Sequence, residues 1–206
     1  CATPPGGICV EKATYVVVVT LPPTPMGYDI SYQRCCRGPN VTNLITPDNT
    51  GITLTTHIPG SNVGNGTLYQ NSSPRFTNYP PILLCNTESI TFNHGATDPD
   101  GDVLTYSLVT PYSGASSITP LPAQTPGPPY APVLWNPGYT ATTPLGPGSS
   151  ITINQNTGMI QVTPQNIGLF VVGVKVTETR NGIVIGSTIR DFLFRVFDCN
   201  ITLQAL

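Results

Sequence analysis

The chain has 206 residues, a formal net charge of −2 and only 9% charged residues, where soluble domains usually carry about 25%. Asn, Thr, Ser, Gly and Pro fill the surface instead, a composition associated with exported proteins, and the length allows one large or two ordinary domains. No basic stripe suits a nucleic-acid partner, and the longest apolar run, residues 15–19, is far short of the ~20 residues that span a bilayer as a helix.

In chain order, "KATYVVVVTL" (12–21) is dominated by β-branched residues and predicts a strand. A proline-rich turn, "PPTPM", separates it from "GYDISYQRCC" (27–36), a second strand in which Tyr28, Ile30 and Tyr32 alternate. "GITLTTHI" (51–58) predicts a third. The polar stretch 59–81 is rich in breakers and sets an expected boundary, giving regions 1–81 and 82–206.

Beyond it, "ESITFNH" (88–94) and "VLTYSLVT" (103–110) predict strands, with Leu104, Tyr106 and Leu108 sharing one face. An irregular stretch, 111–147, follows, and then "SSITINQNTGMIQVTP" (149–164), which reads as a short hairpin. "GLFVVGVKVTETR" (168–180) and "IVIGSTIRDFLFRVF" (183–197) flank Asn181-Gly182, a strong hairpin signal. Phe170, Val172, Val174 and Val176 fall on one face of the first; Phe192, Phe194 and Val196 alternate in the second. No segment has a helical period, so the class is all-β, with antiparallel sandwiches as the expected architecture. The first region offers too few strands for a full sandwich and opens in the loop-like "CATPPGGIC". Part of its sheet is therefore expected to precede residue 1 or to come from another chain, since proteins avoid open edges. No secretory leader is visible, so an exported chain is expected here as a mature form or a piece.

Six cysteines, Cys1, Cys9, Cys35, Cys36, Cys85 and Cys199, favour disulfides and an oxidising compartment. A zinc cluster lacks its C-x-x-C spacing. Cys35 and Cys36 sit side by side on an apparent strand, so their side chains are expected on opposite faces, with separate partners, most simply Cys1 and Cys9. That leaves Cys85 with Cys199.

"ATDPDGDVLTYSL" (96–108) places Asp98, Asp100 and Asp102 at alternate positions. Such a cluster suits Ca²⁺, which takes six to eight oxygen ligands, with Asn93, Glu178 and Asp198 as further donors. The competing reading is a turn at Pro99-Asp100-Gly101 with the carboxylates capping backbone N–H groups. An EF-hand is excluded, because its glycine and terminal glutamate positions hold Val103 and Val109.

"NQNTGMIQVTPQNIGLFVVGVKVTE" and the Asp corner together resemble Ig-like, cadherin-like repeats. "LPPTPMGYDISYQRCCRGPNVTNL", "SSPRFTNYPP" and "RNGIVIGSTIRDFLFRV" resemble a narrower set: large secreted surface proteins of Bacteroidota, labelled PKD-domain or gliding-motility-associated and exported by type IX secretion. The resemblance covers nearly the whole chain. It implies tandem sandwiches with the first incomplete at its N-terminal side, a bacterial cell-surface location, and a corner that binds Ca²⁺ in cadherin-like repeats.

The stretch 111–147 is longer than ordinary connections and carries Tyr112, Tyr130, Trp135 and Tyr139. These rings form either a platform for sugars or a partner, or a cover for an open part of the sandwich. Arg34, Arg37 and Arg75 read as holders of loop carbonyls. No G-x-S-x-G element occurs, His57 and His94 read as structural or solvent-facing, and the carboxylates are too close in sequence to flank a glycosidic bond. An enzyme is not expected. The expected function is an extracellular structural or adhesive module, a filament subunit joined by strand addition, whose partners are neighbouring repeats or subunits. The alternative is a carbohydrate-binding module that uses the aromatic loop for glycans.

Overall fold

Eleven strands form among the described residues, which in this computed structural model are 14–63, 66, 69–122 and 127–199. They are β1 (Tyr28–Arg34), β2 (Ile52–Ile58), β3 (Arg75–Phe76), β4 (Leu83–Cys85), β5 (Ile90–Asn93), β6 (Ala96–Thr97), β7 (Val103–Val109), β8 (Ser150–Ile153), β9 (Met159–Thr163), β10 (Gly168–Arg180) and β11 (Ile183–Phe197). The main sheet runs β1-β2-β11-β10-β7, antiparallel along this path, with β4 parallel to the end of β11. A second sheet runs β5-β9-β8, and β3 pairs with β6.

The β10–β11 hairpin is the spine. Asn181 and Gly182 turn it with φ of 52° and 80°, the left-handed pair that Asn-Gly tolerates best. Its register runs from Gly168↔Val196 to Arg180↔Ile183, with a bulge between Glu178 and Thr179. Alternation then sends Phe170, Val172, Val174 and Val176 to one face, where all four are fully buried. They pack with Phe194, Val196 and Tyr106 and meet Ile151, Ile160 and Val162 from the second sheet. Each such side chain contributes about 1.5–3 kcal/mol when removed from water, so this interface is the main apolar core.

The opposite face of the hairpin is covered by chain without regular structure. Val171 is fully buried against Val41, Leu44 and Val133, with Trp135 and Leu169 packed beside them. Pairing of β10 with β7 stops at Gly173↔Val109, and residues 41–43 continue that edge. Val41 bridges Leu169. The buried Asn43 carboxamide accepts from the Val171 N–H at 3.0 Å and donates to the Val171 carbonyl at 2.9 Å. A side chain thus supplies the ladder bonds a strand would have made, which a buried backbone requires. Under the same layer, Arg37 holds Asp191 through two bonds of 2.9 and 2.5 Å, and donates to the Gly51 and Tyr112 carbonyls. Burial pushes the Asp191 carboxyl up, and Arg37 pulls it back down.

Several expectations fail for identifiable reasons. Residues 14–21 form no strand: β-branched residues favour strands only where a partner edge accepts them, and no described strand pairs here. Cys35 and Cys36 are bonded to each other, across a cis peptide with Cα atoms 3.0 Å apart. The strand ends at Arg34, so the alternation that would separate the two sulfurs does not reach them. Cys1 and Cys9, like the tail 200–206, lie outside the described residues. The expected bond between Cys85 and Cys199 does form, with Cα atoms 5.3 Å apart. The main sheet draws strands from both sides of position 81: Thr56 of β2 pairs with Thr188 of β11, and their hydroxyls meet at 3.1 Å.

The Arg37–Asp191 pair gives a test. Arg37→Met leaves the Asp191 carboxylate buried without its counter-charge and is expected to cost about 3–5 kcal/mol in urea unfolding. Arg37→Met combined with Asp191→Leu is expected to recover much of that loss, since the stranded charge is gone.

Candidate functional site

Two places gather chemistry-bearing side chains. The first is the carboxylate corner between β6 and β7. Asp98 Oδ1 accepts the N–H groups of Asp100 and Asp102 at 2.9 and 3.0 Å, closing the turn. Asp100 accepts the Ser72 N–H at 2.5 Å. Asp102, whose side chain is 2% exposed, receives Arg180 Nε at 2.6 Å and Nη2 at 2.7 Å. Arg180 also lies 3.6 Å from Asp100 and donates to the Gln70 carbonyl.

Behind the turn, Glu178 ends the buried face of β10 and is itself fully buried. Burial raises its pKa; the bond from Asn71, 2.6 Å to Oε2, lowers it, and the charges of Asp98 and Asp102 raise it again. Gly186 makes room for it, since a Cβ there would lie 2.9 Å from Glu178 Oε1. Two buried oxygens, Asp98 Oδ2 and Glu178 Oε1, have no hydrogen-bond partner among the described residues.

The three aspartates bring one oxygen each within 4.8 Å of the others, close enough for a shared cation. The donor set as arranged does not fit Ca²⁺, however. Both Asp102 oxygens are held by Arg180, Asp98 Oδ1 closes the turn and Asp100 caps Ser72. Two unpartnered oxygens fall well short of six to eight ligands, and the guanidinium already supplies the positive charge. Of the further donors expected, Asn93 uses its Oδ1 to cap Gly95.

The second place is a cleft of about 200 Å³ lined by Asp29, Thr55, His57, Tyr112, Pro128, Pro129, Tyr130, Lys175, Ser187 and Ile189. The four aromatic rings of 111–147 do not form one platform. Trp135 donates to Thr110 Oγ1 at 3.2 Å and packs on the Val171 cluster, and Tyr139 lies 6.2 Å from Phe170. Their task is to cover the sheet. Tyr112 and Tyr130, centroids 5.5 Å apart, line the cleft instead.

Asp29, His57, Lys175 and Ser187 give no motif in the sequence, because they come from four strands and only cross-strand register assembles them. Asp29 stands opposite His57 in the β1–β2 ladder, and its Oδ1 lies 3.0 Å from His57 Nδ1. One step along the register from Thr188↔Thr56 sets Ser187 beside His57. No hydrogen bond joins Ser187 to His57 among the described residues. His94 is elsewhere, fully buried within 5.0 Å of the Phe76 and Phe192 rings and 6.0 Å of Phe92. Burial, then the Arg190 charge, lowers its pKa to about 4.

Comparison of the chain with protein-family models, curated proteins and solved structures finds no match.

Two measurements follow from this geometry. The melting temperature is expected to be indifferent to millimolar Ca²⁺ or EDTA, whereas Arg180→Met is expected to cost about 1.5–3 kcal/mol by stranding Asp102; a clear rise in Tm with Ca²⁺ would restore an ion to the corner. His94 sets a pH dependence. The unfolded histidine takes a proton near its ordinary 6.5 while the folded one resists to about 4, so its contribution is full above 6.5 and is lost as pH falls between these values, by roughly 3 kcal/mol at most. His94→Leu is expected to flatten the wild-type slope over that window in denaturant titrations.

Proposed function

We propose that the chain is a non-enzymatic structural and adhesive module of an extracellular bacterial surface protein, part of a tandem Ig-like, cadherin-like array in which the β1 edge of the main sheet is completed by strand addition from a neighbouring copy. The observation that carries this reading is residues 15–19. Tyr15 and Val16, Val17 and Val18 are 81–92% exposed and Val19 is 60% exposed. A contiguous β-prone apolar run of this kind pairs with an edge or aggregates.

A complementary surface lies on the same molecule. β1 pairs only with β2 among the described residues, so no described strand occupies its outer edge. The side of β1 and β2 that continues the core face of the spine is uncovered, because the β5-β9-β8 sheet packs on β7, β10 and β11; Ile30, Tyr32 and Leu54 are exposed there. Tyr15 already stacks on Tyr32, centroids 6.4 Å apart, without any backbone bond between its segment and β1. Pro22, Pro23 and Pro25 in the connection remove N–H donors and fix φ, which disfavours a tight hairpin with the chain's own β1. A neighbouring copy's 15–19 segment meets no such restriction. The low charge of the surface and the disulfides support an exported setting.

The test is assembly. Analytical ultracentrifugation and electron microscopy of the chain are expected to show concentration-dependent oligomers. Val17→Lys is expected to abolish them with a stability change within about 0.5 kcal/mol, as for other exposed positions. A particle that stays monomeric at all concentrations, or oligomers that ignore Val17→Lys, would count against strand addition.

A further inference from the structure

We propose that the cleft between Tyr112, Tyr130 and the β1-β2-β11-β10 surface is a binding site for a sugar ring bearing a carboxylate, such as a uronic acid residue of a polysaccharide. It lies on the face of β1 and β2 opposite the uncovered apolar side, so it is independent of the assembly proposed above.

Charge identifies the ligand's sign. The cleft has one carboxylate, Asp29, already paired with His57 at 3.0 Å. It has one permanent cation, Lys175, which makes no hydrogen bond or ion pair with any described residue. The side chain rises from the middle of β10, between Ile189 on β11 and Ser107 on β7. The charge without a partner is therefore the Lys175 ammonium, and the group that pairs with it is an anion.

Shape and surface identify the rest. Two half-buried tyrosines, 50° apart in plane, wall one side. Aromatic faces of this kind take the C–H face of a ring, while the phenol tips stay hydrogen-bonding. The floor carries the Thr55 and Ser187 hydroxyls and the outward edge of the His57–Asp29 pair, groups that match ring hydroxyls as donors and acceptors. The volume, about 200 Å³, lies below the ~300–1,000 Å³ of sites for drug-sized molecules and limits the occupant to one ring. The approach is open, so the ring can belong to a longer chain.

The experiment is an NMR titration of the chain with glucuronate, glucose and acetate. Glucuronate is expected to shift the cleft amides with an affinity at least about tenfold above glucose and above acetate, the worth of one hydrogen-bonded charge. Lys175→Met is expected to bring glucuronate down to the level of glucose, Lys175→Arg to keep the preference, and Tyr130→Ala to weaken both sugars, all with unchanged melting temperature. Equal binding of glucose and glucuronate, acetate binding as well as glucuronate, a preference that survives Lys175→Met, or no binding of glucuronate at tens of millimolar would each overturn the assignment.

Discussion

Burial of β10 on both faces is the constraint from which the rest of the molecule follows. Its sequence, "GLFVVGVKVTETR", departs from the apolar-polar alternation of a half-solvated strand, because Val171 is as apolar as its neighbours. A strand of that composition needs two covering layers. The β5-β9-β8 sheet supplies one, through Ile160 and Val162. Loop segments supply the other, and they must come close. At Gly173 an added Cβ would lie 2.5 Å from the Val109 carbonyl and 2.9 Å from the Pro111 ring, so only glycine lets residues 109–111 pass there.

A layer of loop chain brings unpaired backbone and polar side chains under cover, which is costly unless each finds a partner. The protein meets this at named points. Asn43 completes the ladder of Val171, and Arg37 joins Asp191 to the carbonyls of Gly51 and Tyr112. These contacts link residues before position 81 to the spine formed after it. Where the loop layer ends, the same sheet face is left open, and the cleft of Tyr112, Tyr130 and Lys175 occupies that step. On the other face the second sheet stops short of β1 and β2, leaving Ile30, Tyr32 and Leu54 bare beside the exposed 15–19 run. Both proposed binding surfaces are thus ends of covering layers.

Much of the strand framework is legible in the sequence, because period-two alternation and Asn-Gly are local signals. Residues 168–180 and 183–197 form the two strands predicted over those bounds, and Phe170, Val172, Val174 and Val176 take the buried face. Residues 14–21, within the strand expected over 12–21, form none for the same reason: propensity is local, but a strand exists only with a neighbour. The Cys85–Cys199 bond forms, although the elimination that points to it assumed separate partners for Cys35 and Cys36, which are joined to each other. The Asp corner is readable as a turn or an ion site; what weighs toward the turn is Arg180, a residue 78 positions from Asp102 in sequence. Likewise Asp29, His57, Lys175 and Ser187 carry no spacing signal, since their proximity is created by ladder register between distant segments.

The claim that β10 is a two-faced spine uniting both halves of the chain is tested most directly by native-state hydrogen exchange resolved by residue. The account predicts that the amides of β10 and of Val171 in particular, held by Asn43, exchange only through global unfolding, in step with β11 and with the β2 amides near Thr56 that pair with it. Exchange of residues 28–58 in a separate, lower-energy opening that leaves β10 and β11 fully protected would contradict it, and would make the first region an appendage of the hairpin with no share in its stability.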